Sequence, residues 1–135
     1  MSNGEVNLNR LLEGLSPELV DGDFVFVTVS EETWQRSQWP VRGLFHEQEG
    51  VTLILLKEVA ENEGLRFDGV FRQITCQVHS SLEAVGMTAA MATALTHHGI
   101  SANVVAAYYH DHLFVPATKA QEAVSVLSMI AKGKG

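Results

Sequence analysis

The run His110-Asp111-His112 is the part of the sequence best suited to metal chemistry, because two imidazoles flank a carboxylate. Imidazole nitrogens are common ligands of transition metals, and on a strand both rings would face the same side. Two ligands nevertheless make a poor metal site, and no third ligand lies nearby in the sequence, although folding could bring in His79, His97 or His98. We therefore expect residues 109–112 to form a tight hairpin turn and expect no metal site.

Candidate nucleophiles are few. Cys76 is the only cysteine, which excludes an intrachain disulfide and a cysteine-rich zinc site, and its apolar strand predicts a buried, inert thiol. Ser80 and Ser81 lack the G-x-S-x-G motif of activated serines. The sequence also has no glycine-rich phosphate loop and no dinucleotide fingerprint. We expect a protein that is not an enzyme and uses no cofactor.

Composition narrows the possible partners. The 135 residues include 9 Lys and Arg against 16 Asp and Glu, a formal charge of −7, so binding to a nucleic-acid backbone is not expected. Residues 1–5 lack the positive charge and apolar run of a signal peptide. No apolar stretch approaches the roughly 20 residues of a membrane helix. We expect a cytoplasmic protein without nucleic-acid or membrane partners.

Apolar patterning predicts alternating strands and helices. A β-branched and aromatic run predicts a strand buried on both faces, and an i, i+3, i+4, i+7 stripe from Met87 predicts an amphipathic helix closed by Gly99. Residues 16–19 are interpreted as a turn or single helical turn, and 33–38 as a short helix or a loop. A capping box is expected at Thr118 and Gln121. The remaining predicted elements are strands at 24–29, 41–47, 51–56, 71–79, 103–109 and 113–115, a helix at 57–63, and a final helix after Pro116.

This order indicates an α+β protein with antiparallel sheets and helices packed on one face. The pattern β-α-β-β-α-β occurs once in full and begins again at residue 71, which predicts two ferredoxin-like units. We assign residues 1–22 to an N-terminal helical segment, 23–70 to a degenerate first unit and 71–135 to a second unit.

The segment 79–88, the helix ending at Gly99 and the strands within 103–116 together resemble the ACT-domain family. The similarity is strongest over roughly residues 70–130, and the first half resembles a degenerate N-terminal unit. The overall pattern is similar to small bacterial proteins built from a tandem ACT-like pair and to the regulatory region of aspartokinase. The resemblance implies two βαββαβ units and a regulatory function.

The resemblance also implies a ligand site in the loop before the helix, where Gly86-Met87 matches the family's pair of glycine and hydrophobic residue. The loop over residues 80–85 is longer than the family's usual loop. The first turn of a helix offers unpaired N–H groups and partial positive charge, which suit an α-carboxylate. The expected ligand-binding residues are Ser81, Glu83, Val85, Gly86, Met87, Thr88, Asn103 and Val104.

Two alternatives remain open at this point. Gly86 and Asn103 are equally consistent with a tight-packing glycine and a turn residue that bind no ligand. The function implied is a non-catalytic regulatory module that binds an amino acid and forms a homodimer, and the alternative is a protein–protein assembly module without a small ligand. Most of the aromatic residues are expected to pack in the core: Trp34, Trp39, Phe45, Tyr108 and Tyr109.

Overall fold

The elements follow the predicted alternation in a computed structural model of the chain, which describes residues 12–77 and 86–133. Residues 22–71 form one compact unit, and residues up to Asp21 together with 72–133 form the other. In chain order the elements are β1 (Glu18–Leu19), β2 (Phe24–Val29), α1 (Glu31–Arg36), β3 (Gly43–His46), β4 (Val51–Leu56), α2 (Lys57–Asn62), β5 (Phe71–Gln77), α3 (Met87–His97), β6 (Asn103–Ala106), β7 (His110–Pro116), a 3-10 turn (Ala117–Lys119) and α4 (Ala120–Ala131).

The unit formed by residues 22–71 is built on an antiparallel sheet in the order β3-β4-β2. Strands β2 and β4 pair over their full lengths, from Phe24 opposite Leu56 to Val29 opposite Val51. Phe71, the first residue of β5, pairs with Phe24 on the other side of β2. The fully buried residues of this unit's core come from β2, β4 and α2, and they include Val25, Leu53, Leu55 and Ala60.

The other unit has the strand order β1-β5-β7-β6. Its first strand comes from the N-terminal side of the chain, because Glu18 pairs with Thr75 and Leu19 with Ile74. Further backbone bonds run along the same edge, from the Val20 N–H to the Gln73 carbonyl and from the Gln77 N–H to the Leu15 carbonyl. Apolar side chains from β5, β7, α3, α4 and residues 12–15 form one core.

Each unit thus has the α+β, ferredoxin-like arrangement predicted from the sequence, with an antiparallel sheet and helices packed on one side. The helical stripe predicted from Met87 is confirmed, since Met87, Met91 and Leu95 are buried. The division into 1–22, 23–70 and 71–135 stays a prediction, since residues 1–11, 78–85 and 134–135 lie outside the described part of the chain. No helix in the described part is long and apolar enough to cross a membrane.

The turn predicted over residues 109–112 is wrong. Residues 110–112 lie within β7, and the chain reverses two residues earlier, over residues 107–110, where the Ala107 N–H donates to the His110 carbonyl. Asp111 is buried, whereas Tyr108 and Tyr109 are 78% and 74% exposed. Strand β7 therefore begins before its apolar residues and includes the charged Asp111. Tyr108 and Tyr109 lie in the exposed turn between β6 and β7.

Three smaller expectations also differ from the structure. Residues 18–19 are a short strand instead of a turn, because pairing with β5 satisfies their backbone groups. The Thr118–Gln121 capping box is absent: α4 begins after a 3-10 turn and has no side-chain cap. Among the aromatic residues, Trp34 and Trp39 pack against a core, but Phe45 is 70% exposed and the two tyrosines are exposed as well.

Candidate functional site

The N-terminus of α3 is the candidate site, and Gly86 forms its N-cap. Gly86 has φ 98° and ψ −19°, a left-handed conformation that glycine adopts without a Cβ penalty. The first intrahelical bond runs from the Ala90 N–H to the Gly86 carbonyl, at 2.9 Å. The amides of residues 87–89 precede that bond, and no side-chain cap bonds to them within the described part of the chain.

The electrostatics of this helix end favour an anion. The first turn of α3 contains no acidic residue, so the partial positive charge of the helix dipole is not neutralised by its own side chains. Met87 is 3% exposed and packs into the core, so only its backbone faces the helix end. Thr88 is exposed. A carboxylate could therefore accept hydrogen bonds here from backbone N–H groups without an Arg or Lys partner.

An open groove of about 450 Å³ adjoins Gly86 on the outer face of α3. Small residues on α3, including Ala90, Thr93 and Ala94, line one wall, and Ile130 of α4 contributes to the other. The groove is mostly apolar, with the helix N-terminus at one end. This groove was not predicted from the sequence, although the four-residue spacing of Gly86, Ala90 and Ala94 on one helix face was a signal for it.

The predicted ligand residues fall into three groups. Gly86, Met87 and Thr88 are consecutive at the start of α3. Ser81, Glu83 and Val85 lie outside the described residues. Asn103 and Val104 belong to β6, where they pair opposite Phe114 and Leu113 of β7.

Strand β6 contributes less to this site than expected. Asn103 is exposed, but Val104 packs against the core, so only one of the two side chains is available to a ligand. In the strand order, β7 separates β6 from β5, the strand that precedes α3. Within the described part of the chain, no hydrogen bond joins Asn103 to the first turn of α3.

A second polar cluster lies on β5 and β7. The His112 Nδ1 is 3.0 Å from the Thr75 Oγ1 and 3.2 Å from the Gln73 Nε2, and the Gln73 Nε2 donates to the Thr75 Oγ1 at 2.9 Å. The His110 ring lies 6.2 Å from the His112 ring. Within the described residues, no group of three or more His, Cys, Asp or Glu side chains could hold a metal ion.

Cys76 is unsuited to nucleophilic catalysis. Its side chain is fully buried, as predicted from its apolar strand. Burial raises the pKa of the thiol to about 12, and the charge of Asp111 adds to the increase. Because the thiolate is the reactive form, this cysteine is inert at neutral pH.

Comparison with known protein families supports the ferredoxin-like fold of both units. The two ferredoxin-like units place the chain in a class of proteins built from tandem modules of the βαββαβ type. Residues 3–72 and 70–129 each match a family model described as an ACT domain. The chain belongs to the ACT-domain family, and the resemblance found in the sequence is confirmed.

Solved structures give the same result. A protein of unknown function from Vibrio cholerae, described as a possible transport protein, is 47% identical, with a TM-score of 0.84 over 96% of this chain and 99% of that chain. The ligand-free regulatory subunit of aspartate kinase from Thermus thermophilus is 12% identical, with a TM-score of 0.65 over 86% of this chain and 97% of that chain. A search of curated proteins finds no match. The low identity to the aspartate kinase subunit means that this likeness concerns the fold alone.

Proposed function

We propose that the protein is a non-catalytic regulatory module that binds an amino acid or a similar small carboxylate at the N-terminus of α3. The observation that carries the proposal is the left-handed Gly86, which begins the helix without a capping side chain among the described residues. The ligand's α-carboxylate accepts hydrogen bonds from the first-turn amides, and its apolar portion lies in the adjoining groove.

The full ligand set in this proposal is the one predicted from the sequence. Residues 81–85 contribute polar groups of the loop, and Asn103 supplies an amide side chain or carbonyl for the ligand's ammonium group. The set comprises Ser81, Glu83, Val85, Gly86, Met87, Thr88, Asn103 and Val104. In this proposal the protein works in the cytoplasm as a homodimer.

Family membership supports a regulatory function. The ACT domain occurs in the regulatory subunit of aspartate kinase, a protein whose fold this chain shares over most of its length. The buried, high-pKa thiol of Cys76 agrees with a module that binds a ligand without transforming it. The proposal therefore assigns ligand binding, and not catalysis, to the N-terminus of α3.

A thermal-shift screen with the twenty amino acids tests the proposal. A ligand present at 100 times its Kd stabilises the folded state by about 2.7 kcal/mol, which gives a measurable rise in Tm. We expect one amino acid, or a chemically related group of them, to raise the Tm, while its decarboxylated amine does not. If no amino acid at millimolar concentration raises the Tm, the proposal is wrong.

A matched pair of variants then locates the site. Thr88→Glu places a carboxylate in the first turn, where it favours the helix dipole but repels an anionic ligand, so the free protein keeps its stability and ligand affinity falls at least tenfold. Thr88→Gln has a similar size without the charge and should retain affinity. Equal affinity of the two variants would show that the carboxylate binds elsewhere.

The alternative function is an assembly module without a small ligand. Exposed aromatic side chains favour it, since Tyr108 and Tyr109 are mostly exposed and their rings pack edge to face, 4.9 Å apart. Strand β6 ends the strand order of its unit, and edge strands can pair with another chain. Copurification of a partner that is lost on Tyr108→Ser and Tyr109→Ser, with no ligand found in the screen, would support this function instead.

A further inference from the structure

A second open groove, of about 500 Å³, lies in the unit formed by residues 22–71. Its volume is within the range of roughly 300–1,000 Å³ that is usual for small-molecule sites. Residues of α1, of the segment after α1 and of the end of α2 form its walls: Thr33, Arg36, Ser37, Gln38, Trp39 and Glu63. All of them belong to this one unit, so the groove does not involve α3 or the amino-acid site proposed there.

Trp39 provides an aromatic wall of this groove. The chain leaves α1 at Ser37, whose N–H and hydroxyl both donate to the Trp34 carbonyl, at 3.1 and 2.9 Å. Trp39 then packs against the core of its unit while staying partly exposed. Pro40 follows it and restricts its backbone to extended conformations. Core contacts and a restricted backbone therefore hold the indole in place, with part of its surface lining the groove.

Glu63 contributes a carboxylate to the groove from the end of α2. The backbone bonds that end this helix fix its position, from the Gly64 N–H to the Glu61 carbonyl at 3.3 Å and from the Leu65 N–H to the Ala60 carbonyl at 2.9 Å. Gly64 has φ 69°, the left-handed conformation at which many helices end. The Glu63 side chain is exposed and has no ion-pair partner among the described residues. Its carboxylate is therefore available to a ligand.

The charges around the groove favour a cation over an anion. Arg36 also lines the groove, but its guanidinium bonds to the Glu32 Oε2 at 3.0 Å, one turn earlier in α1. Lys57 of α2 is likewise paired with Glu61, at 3.7 Å. Each cation of these two helices thus has a carboxylate partner on its own helix, which leaves Glu63 as the uncompensated charge in the lining. The formal charge of −7 on the chain adds to the attraction of cations.

We propose that this groove binds a small alkylammonium ion, with its charged nitrogen beside the Glu63 carboxylate and its carbon atoms against the Trp39 indole. Tryptophan is the side chain that attracts organic cations most strongly, through the quadrupole of its ring. A carboxylate adds a charge-assisted contact to the ammonium group. An indole wall gives no such advantage to a metal ion, which needs several oxygen, nitrogen or sulfur ligands. This site is separate from the one proposed at α3, so either can exist without the other.

Titration of the full chain with choline chloride and with 1,4-diaminobutane, followed by tryptophan fluorescence, tests the proposal. The chain has two tryptophans, of which Trp39 lines the groove and Trp34 does not. We expect a saturable change in emission with at least one of the two amines, and none with 3,3-dimethyl-1-butanol, the uncharged analogue of choline. The affinity should fall with added NaCl, because the charges are exposed. Absence of a saturable change with both amines at millimolar concentration would overturn the proposal.

Glu63→Gln is the decisive variant, because Glu63 is exposed and its substitution should not disturb folding. It should lower the affinity for the amine at least about fivefold. Glu58→Gln is the matched control, since it removes the same charge from an exposed position of α2 outside the groove, and it should change the affinity by less than about twofold. Trp39→Phe should abolish the change in emission. Equal affinities of the two glutamine variants, or an emission change that persists in Trp39→Phe, would place the amine elsewhere and refute the proposal.

Discussion

The first helices of the two units, α1 and α3, differ in their N-terminal capping and in how much of each helix is buried. Helix α1 has six residues, none of them buried, and the Ser30 side chain caps it by accepting the Thr33 N–H at 3.0 Å. Helix α3 has eleven residues, three of them buried, and begins at Gly86 with no side-chain cap from the residues that the structure describes. Acidic residues fill the first turn of α1 and are absent from that of α3.

This contrast shows where each helix obtains its stability. A short helix without a fully buried residue depends more on its cap and its charges, although Trp34 of α1 also packs against the core of its unit. A helix anchored by a buried face does not need its first-turn amides capped. No side-chain cap among the described residues bonds to the first-turn amides of α3, which the proposed function assigns to a ligand, whereas Ser30 and two glutamates cover the equivalent end of α1.

The largest effect should come from removing the anchor of α3. Leu95 is fully buried, so Leu95→Ala should lower the free energy of unfolding by about 2–5 kcal/mol, measured by urea denaturation. Gln35→Ala, at an exposed position of α1, should change it by less than about 0.5 kcal/mol. Similar losses for the two variants would contradict the distinction between an anchored and a local helix.

A pH-dependent effect is expected at Asp111, within the core that anchors α3. Burial raises the pKa of this carboxyl above its ordinary value, and the adjacent His112 partly opposes the increase. The raised pKa means that the protonated form stabilises the folded state at low pH, and that this stabilisation is lost as pH rises through the folded-state pKa. Asp111→Asn should therefore gain stability relative to the wild type as the pH rises above about 4, the ordinary pKa of an aspartate.

Urea denaturation of the wild type and Asp111→Asn at several pH values measures this gain. The control is Asp68→Asn at an exposed position, whose stability should follow the wild-type pH curve closely. A difference between Asp111→Asn and the wild type that does not change with pH would show that the carboxyl does not titrate differently on folding.

Removing the cap of α1 should have a moderate effect. Ser30→Ala deletes the acceptor of the Thr33 N–H and should lower the free energy of unfolding by about 1 kcal/mol. Ser30→Asp restores a capping oxygen and should recover most of that loss. Hydrogen exchange of the Thr33 amide offers a local measurement, which should accelerate in the alanine variant only.

The smallest effect is expected for the surface ion pair of α1. Glu32 and Arg36 are one helical turn apart and bond at 3.0 Å, but both side chains are more than 70% exposed. Glu32→Ala should cost no more than about 0.5 kcal/mol, and the cost should decline with added salt. A loss above 1 kcal/mol at 0.5 M NaCl would show that this pair is more than a solvated contact.

Local patterns predicted the elements better than their pairing. The apolar stripe of Met87, Met91 and Leu95 predicted α3 correctly, because helical periodicity can be recognised within one short segment of sequence. Residues 110–112 were wrongly predicted to form a turn, because polar and charged residues are typical of exposed turns. Their position in a strand depends on pairing with the neighbouring strand β5, where Thr75 contacts His112. Strand β1 was missed for the same reason, since its two residues become a strand only beside Thr75 and Ile74.

Of the candidate site, the start of a helix after Gly86 was predicted from the sequence, and its role in ligand binding stays a prediction. Gly86 was identified by its position before a helix, and its left-handed conformation agrees with that interpretation. The groove between α3 and α4 was not predicted, since it depends on how Ile130 packs beside Ala90 and Ala94. Side-chain exposure on β6 also depends on packing, which is why the sequence could not distinguish the available Asn103 from the core-facing Val104.

The pairing of β1 with β5 has a consequence for synthesis on the ribosome. Residues 22–71 are contiguous and can form their own sheet as soon as they emerge. Residues 12–21 emerge earlier still, but the residues of β5 that pair with β1 are more than fifty positions later in the chain. Strand β1 therefore stays unpaired until β5 has been synthesised, by which time residues 22–71 can already have folded. Closing so long a loop is slow in chain-entropy terms, and we expect completion of the β1–β5 edge to be among the last steps by which a newly made chain acquires its native form.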